Sequence, residues 1–549
     1  MSKSREKSSK ARFVVFGVIL GLTLAGATAF LTYQLMAGDL KSKVRYALIK
    51  GKEHAVNLMK EKMAKAPAKA VIDQEKIKDS ILALTIHADK IIGAINPMIY
   101  GSQVQAKTEF EMDVSNLARN FGVTNFRYPG GGSNGYRWKI GKFDFSDRTK
   151  NAPLSNIENV IKFAEITEAD LVIQVNIESG TAQEAAEWVE YMNKGRGRYV
   201  KYWELGNEVY GDWDRAYMTG EKYAKIIKEY AALMRAVDPD IKIGANWGGP
   251  KYQDFDQAVV EQAADDIDFV SYHWYPNHVN QYKQYKGRPH PPAEDIMANS
   301  LAVADMTGRF NAMVEKYAPR RKGKIEFTVM EWDGSWDGVS SDLRFEYKGM
   351  MWSLANAIFY ADTLGEFARH GVTVANQYTF QEVMFGLIRG WDRDAGWGGD
   401  RWDGQTIRPK ALAFQLLANH FRGNLVEHAL TGSPAYFKEA DWWADSYTGD
   451  VPYVTSHVSK SAEDNTMAIV LINRHSVYDF KVKITIDGVT LADTKGEVWI
   501  LNGPELESQN DGAPGTVDVK KYEMTGIADR FSYTVPAHSV NVIKVSINE

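Results

Sequence analysis

The chain has 549 residues, a formal net charge of -5 and an ordinary globular composition, 44% hydrophobic and 25% charged. The charge balance excludes a nucleic-acid footprint over the whole chain. The absence of cysteine excludes disulfides, thiolate metal sites and a cysteine nucleophile.

In chain order, residues 1–12 are a basic tail carrying Lys3, Arg5, Lys7, Lys10 and Arg12. Residues 13–38 follow without a charge, longer than the roughly 20 residues that cross a bilayer. With the basic side held in the cytoplasm, the rest of the chain is expected outside it, anchored by a single pass. The competing expectation is secretion after signal cleavage near Ala25, Ala27 and Ala29. Residues 39–79 are Lys- and Ala-rich, with Val44, Leu48, Ala55, Met59 and Met63 on one helical stripe. They read either as a helical stalk, which stands the rest off the membrane or pairs with another copy in a homo-oligomer, or as a spacer lying on anionic headgroups.

From residue 80 the pattern becomes strand and helix. Residues 81–87 alternate like an antiparallel strand, and the segment 80–96 is expected to join a later sheet. Eight short apolar runs come next, at 97–103, 125–131, 170–177, 200–208, 241–248, 269–276, 325–332 and 372–380. Segments of helical period separate them, near 108–120, 155–168, 181–193, 221–237, 254–265, 296–317, 343–369 and 408–421. Eight strand–helix units predict an α/β fold, a (β/α)8 TIM barrel over 97–421. Residues 422–549 carry alternating strands such as 481–487 and 541–547, which predict an antiparallel β-sandwich.

Two glutamates end runs of this barrel. Glu208 closes the fourth, within Trp203-Glu-Leu-Gly-Asn-Glu208, and Glu331 closes the seventh, within Ile325-Glu-Phe-Thr-Val-Met-Glu331-Trp332. Barrel active sites lie at the C-terminal strand ends. A carboxyl pair there suits glycoside hydrolysis, in which one group protonates the leaving oxygen and the other attacks carbon or activates water. Trp138, Trp247, Trp274, Trp332 and Trp336 also fall near strand ends, either to stack on sugars or to pack the core. The loop 391–403 holds Asp392, Asp394, Asp400 and Asp403 among tryptophans. It reads as a cleft wall, a calcium site or an exposed loop with Asp–Arg pairs. His54, His273, His278 and His290 show no metal-ligand spacing, and no cofactor is implied.

The motif ending in Gly206-Asn207-Glu208 resembles the acid/base motif of the retaining (β/α)8-barrel glycosidases. Within that group the chain most resembles the α-L-arabinofuranosidases of glycoside hydrolase family 51. The likeness runs through Ile95-Asn-Pro-Met-Ile-Tyr-Gly101, Phe126-Arg-Tyr-Pro-Gly-Gly131 with Tyr136 and Trp138, residues 180–191, and Ser271-Tyr-His-Trp-Tyr275. The resemblance implies Glu208 as acid/base and Glu331 as nucleophile. It implies Asn207 on the hydroxyl beside the anomeric carbon, Tyr275 on Glu331, His273 beside the acid/base and Arg127 behind the nucleophile. Gln105 stands where the family has Glu, Gly132 where it has Cys or Asn, and Gln377 and Gln381 only approximate a sugar-contacting Gln. The implied partner is a carbohydrate. Endo-β-glucanase and β-xylosidase activities, and a non-hydrolytic glycan-binding scaffold, stay open as alternatives.

Overall fold

A computed structural model describes residues 77–104, 112–131, 134–143, 157–278, 292–336, 350–382, 384–391, 401–440 and 445–548. The basic tail, the apolar run 13–38 and the Lys/Ala-rich stretch to residue 76 lie outside the described residues. So do Gln105, Gly132 and the acidic residues 392–400. Among the described residues, no helix is long and apolar enough to cross a membrane.

Strand β1 (Ile81–Ala94) opens the described fold. Eight strands then close a parallel barrel: β2 (Gly101–Gln103), β3 (Asn125–Tyr128), β4 (Asp170–Val175), β5 (Tyr202–Leu205), β6 (Lys242–Trp247), β7 (Phe269–Trp274), β8 (Glu326–Trp332) and β9 (Ala375–Gln377). Each falls within one of the eight apolar runs. The first run is mostly not a strand. Asn96 accepts a hydrogen bond from the Met98 N–H, and Pro97–Ile99 makes a 3-10 turn before the chain extends.

The helices form where the apolar period meets a cap. Thr181, Thr219 and Ser353 each accept a backbone N–H three residues on, satisfying donors that a helix start leaves open. They begin α1 (Ala182–Val189), α2 (Gly220–Val237) and α3 (Leu354–Arg369). Helix α3 is buried along almost its whole length, so it lacks the polar face of an ordinary barrel helix. Of the helix expected over 343–369, the part before Met350 lies outside the described residues.

The C-terminal strands form one nine-stranded sheet with β1 inside it. β1 pairs antiparallel with β10 (Asn424–Thr431) and parallel with β11 (Phe480–Asp487). Val498, near one end of the strand order, and Val535, at the other end, share one apolar cluster with Leu82, Leu84 and Ile469. The sheet therefore folds over on its own core, as a β-sandwich does. Ile77, at the start of the described chain, is buried in that same cluster.

Candidate active site

The ladders bring the site residues together before any side chain is considered. Gln103 on β2 stands opposite Arg127 on β3, and His273 on β7 stands opposite Glu331 on β8. Inward-facing positions recur every second residue, so Glu204 points into the barrel while Trp203 packs outward on Trp188.

Arg127 sits at the centre, fully buried. Its Nε donates to Glu204 Oε2 at 2.6 Å and its Nη2 to Glu204 Oε1 at 3.1 Å. Nη1 donates to Glu331 Oε1 at 2.7 Å and to Gln103 Oε1 at 2.8 Å, and Nη2 also reaches Asn207 Oδ1 at 2.9 Å. Burial alone would weaken the guanidinium's charge. The two carboxylates outweigh it and push the Arg127 pKa up. Glu204 is held further by the Ser271 hydroxyl at 2.5 Å and the Asn246 side-chain N–H at 3.2 Å.

Glu331 takes a second hydrogen bond, from the Tyr275 hydroxyl at 3.0 Å. Burial, then the Glu331 charge, push the Tyr275 pKa far up, so the hydroxyl keeps its proton and donates it. Glu208 lies across the cleft. Its Oε1 is 2.9 Å from His273 Nδ1 and its Oε2 accepts the Trp213 indole N–H at 2.9 Å. His273 Nδ1 is also 3.5 Å from Glu331 Oε2. One carboxylate oxygen from each glutamate and one nitrogen of His273 all lie within 4.8 Å of one another.

Burial raises the Glu208 pKa, but the hydrogen bond and charge of His273, with Trp213 and Arg127, outweigh it and hold the carboxyl below its ordinary value. Burial likewise lowers the His273 pKa, and the charges of Glu331 and Glu208 outweigh it upward. The imidazole therefore stands between the two carboxyl groups, its own pKa raised and that of Glu208 lowered by their mutual contact.

The turn that presents Glu208 is built from left-handed backbone: Gly206 has φ +76 and Glu208 φ +46. Asn134 clamps it, accepting the Asn207 N–H at 2.6 Å and donating to the Asn207 carbonyl at 2.7 Å. The Tyr223 hydroxyl donates to the Leu205 carbonyl at 2.5 Å just before the turn.

Five residues of this site were not singled out in the sequence: Gln103, Asn134, Glu204, Trp213 and Asn246. Glu204 carried a signal. A charge inside an apolar run, with Arg127 inside another run of the same barrel, calls for a buried pair. Trp213, 57% exposed beside Glu208, sits in a loop with no such mark.

Some expected contacts fall elsewhere. Trp332 is fully buried against Tyr360, Phe359 and Phe367 of α3, so it is core packing rather than a sugar platform. Trp138 stacks on Trp188 at 5.6 Å between ring centres and donates to the Glu184 carbonyl. Both ends of the Gln377 amide are committed, to Ser102 and the Phe385 carbonyl, each at 3.0 Å. Gln381 is buried with neither side-chain polar atom partnered among the described residues. Among the described residues, two acidic–histidine triads have metal-like spacing, Glu208–His273–Glu331 and Asp362–Glu366–His457. Each has a guanidinium on one of its carboxylates, Arg127 and Arg474, which repels a cation.

A closed parallel barrel with two carboxyl groups facing each other at the C-terminal strand ends defines the (β/α)8 glycosidase class. No protein-family model matches the chain. Comparison with curated proteins finds an exo-α-(1→6)-L-arabinofuranosidase of Bifidobacterium longum, 26% identical over 460 residues, covering 73% of this chain and 82% of that protein. It also finds an intracellular exo-α-(1→5)-L-arabinofuranosidase of Bacillus subtilis, 23% identical over 440 residues, covering 70% and 83%. Among solved structures, the α-L-arabinofuranosidase of Thermotoga maritima in complex with arabinose superposes with a TM-score of 0.71 at 23% identity, covering 84% of this chain and 99% of that one. The chain is a family-51-like (β/α)8-barrel glycosidase, and so a glycoside hydrolase by class.

The expected membrane-anchored or secreted, extracytoplasmic location is corrected by the same relatives. The Bacillus subtilis protein and those of Streptomyces lividans and Halalkalibacterium halodurans are named as intracellular enzymes. No described helix can span a bilayer.

Proposed function

We propose that the chain is a retaining, exo-acting α-L-arabinofuranosidase, with Glu208 as acid/base and Glu331 as nucleophile. One observation carries the reading: a Glu208 oxygen and a Glu331 oxygen approach within 4.8 Å. Carboxyl groups stand about 5–5.5 Å apart in retaining pairs and roughly 6.5–9.5 Å apart in inverting ones, and oxygens this near each other favour the shorter spacing. Arabinofuranose is supported by the names of the relatives.

In the first step Glu331, aligned by Arg127 and Tyr275, bonds to the anomeric carbon as the glycosidic C–O bond breaks. Glu208 gives its proton to the leaving oxygen. His273 Nδ1, 2.9 Å from Glu208 Oε1, is placed to exchange a proton with that carboxyl group. In the second step Glu208 takes a proton from water, whose oxygen bonds to the anomeric carbon and releases Glu331. Arg127 occupies the Asn207 Oδ1, which leaves the Asn207 amide N–H for the hydroxyl beside the anomeric carbon. The exposed Trp213 ring stands beside Glu208, to which its indole N–H donates. Gln377, Trp332 and Trp138 act as supports of the wall behind the site.

The test is turnover of aryl glycosides. Glu331→Gln is expected to abolish it. Glu208→Ala is expected to retain activity on good leaving groups and to be rescued by azide. A panel of α-L-arabinofuranosides, β-xylosides, β-glucosides and β-glucans decides the sugar. Full activity of Glu331→Gln would sink the assignment.

A further inference from the structure

Gln103 is wholly buried on β2, and its two amide atoms have unequal fates. Oε1 accepts from Arg127 Nη1, the same nitrogen that donates to Glu331 Oε1. Nε2 has no hydrogen-bond partner among the described residues. The amide cannot be turned round, because a guanidinium only donates and must face the oxygen. Gln103 is thus a donor locked in place, one nitrogen away from the nucleophile. A buried donor without a partner costs about 1–3 kcal/mol, so folded proteins rarely keep one unless something else fills it.

The surroundings say where that donor lies. A Cβ on Gly130 would come within 2.2 Å of Nε2, and one on Gly131 within 3.4 Å. Both glycines have left-handed φ, +63 and +31. They follow β3, at the end of the barrel where Glu208 and Glu331 emerge. The same Cβ on Gly131 would lie 2.9 Å from the hydroxyl oxygen of Tyr378, which follows β9. Any side chain on Gly130 would overlap the Gln103 amide itself, its Cβ falling 2.2 Å from Cδ and 2.6 Å from Cγ. Asn207 and Gln103 sit on different nitrogens of Arg127, Nη2 and Nη1, so they address different parts of whatever rests on Glu331.

We infer that Gln103 is a specificity-determining residue: its Nε2 donates to a hydroxyl of the terminal sugar, other than the one beside the anomeric carbon. This rests on the reading of the Glu208–Glu331 cleft as a glycosidase site, and it names a contact that reading does not contain.

The experiment compares the full chain with Gln103→Met and Gln103→Glu on an aryl α-L-arabinofuranoside and its monodeoxy analogues. Gln103→Met removes the donor. Gln103→Glu keeps an oxygen for Arg127 but turns the donor into an acceptor, and it carries the test where the first variant does not fold. Wild type is expected to lose roughly 10–100-fold in kcat/KM on one monodeoxy analogue, the range set by one unpaired buried donor. Both variants are expected to lose a similar factor on the parent sugar and nothing further on that analogue. An equal loss on every analogue would mean that Gln103 only aligns Arg127, and would overturn the inference. So would unchanged activity, which would mean that a buried water takes the donor. If Glu331→Gln abolishes turnover while the Gln103 variants show no hydroxyl-specific loss, this inference alone fails. If wild type turns over no glycoside, the reading of the cleft fails and takes this inference with it.

Discussion

Arg127 and Glu204 pair side by side with no exposed surface on either side chain, at 2.6 and 3.1 Å. The pair is two-pronged, and the guanidinium still has donors left for Glu331, Gln103 and Asn207. Glu204 therefore fixes the plane in which Arg127 meets the nucleophile.

Removing Glu204 should cost more than removing the pair. A buried ion left without its partner costs about 3–5 kcal/mol, whereas replacing both by apolar groups is often close to neutral. Glu204→Ala is expected to lower stability in urea by that amount. Adding Arg127→Met should restore part of it, although the double variant should be inactive. Greater destabilisation in the double variant would overturn the account.

Gly206 is the hinge of the turn that presents Glu208. A Cβ there would lie 2.6 Å from Ile177 Cδ1 and 2.9 Å from Asn134 Oδ1, on backbone at φ +76. The left-handed conformation costs an L-residue about 1–2 kcal/mol. Displacing Asn134 also loosens both backbone bonds of Asn207. Gly206→Ala should cut kcat on aryl glycosides severely while the protein remains folded by circular dichroism. Wild-type kcat in this variant would contradict the clamp.

The Glu208–His273 pair makes a signed prediction about pH. The Glu208 pKa is lowered in the fold, so its contribution to stability is present above the ordinary carboxylate value and is lost as pH falls through the folded value. The His273 pKa is raised, so its contribution is present below the ordinary imidazole value and is lost as pH rises through the folded value. The stability difference between wild type and His273→Asn should therefore peak between those limits and shrink on both sides. Urea midpoints measured across acid and alkaline pH check this. A difference that only grows with pH would rule it out.

A second buried network joins α3 to the sandwich. Asp362 accepts from Ser300 at 2.5 Å and Thr455 at 2.7 Å, and it contacts His457 Nε2 at 3.0 Å and the Arg474 guanidinium. Burial raises the Asp362 pKa, but Arg474 and His457 outweigh it and hold the carboxyl well below the carboxylate range. Arg474→Met should destabilise the protein by about 3–5 kcal/mol. The turnover of the folded fraction should be unchanged. Loss of kcat without loss of stability would place Arg474 in the catalytic machinery instead.

Much of the site was legible because barrel chemistry is written at strand ends. Glu208 and Glu331 each closed an apolar run, and the ladders placed them at the same end. The contacts of Arg127, His273 and Tyr275 follow the resemblance. The tryptophans stayed between two readings in the sequence because a ring near a strand end is equally suited to core and cleft. Trp332 lies on the outward face of its strand, under α3. Asn134 and Trp213 were silent because loop residues have no period to mark them.

By itself, the sequence determined the eight-strand barrel, the sandwich that follows it and the two glutamates, since periodicity and strand ends are local properties. Only the tertiary structure decided how Arg127 divides its donors among Glu204, Glu331, Gln103 and Asn207. Only it put Glu208 and Glu331 on one imidazole. Those groups are far apart in the chain and meet because the barrel closes, and distance and burial are what set their charges.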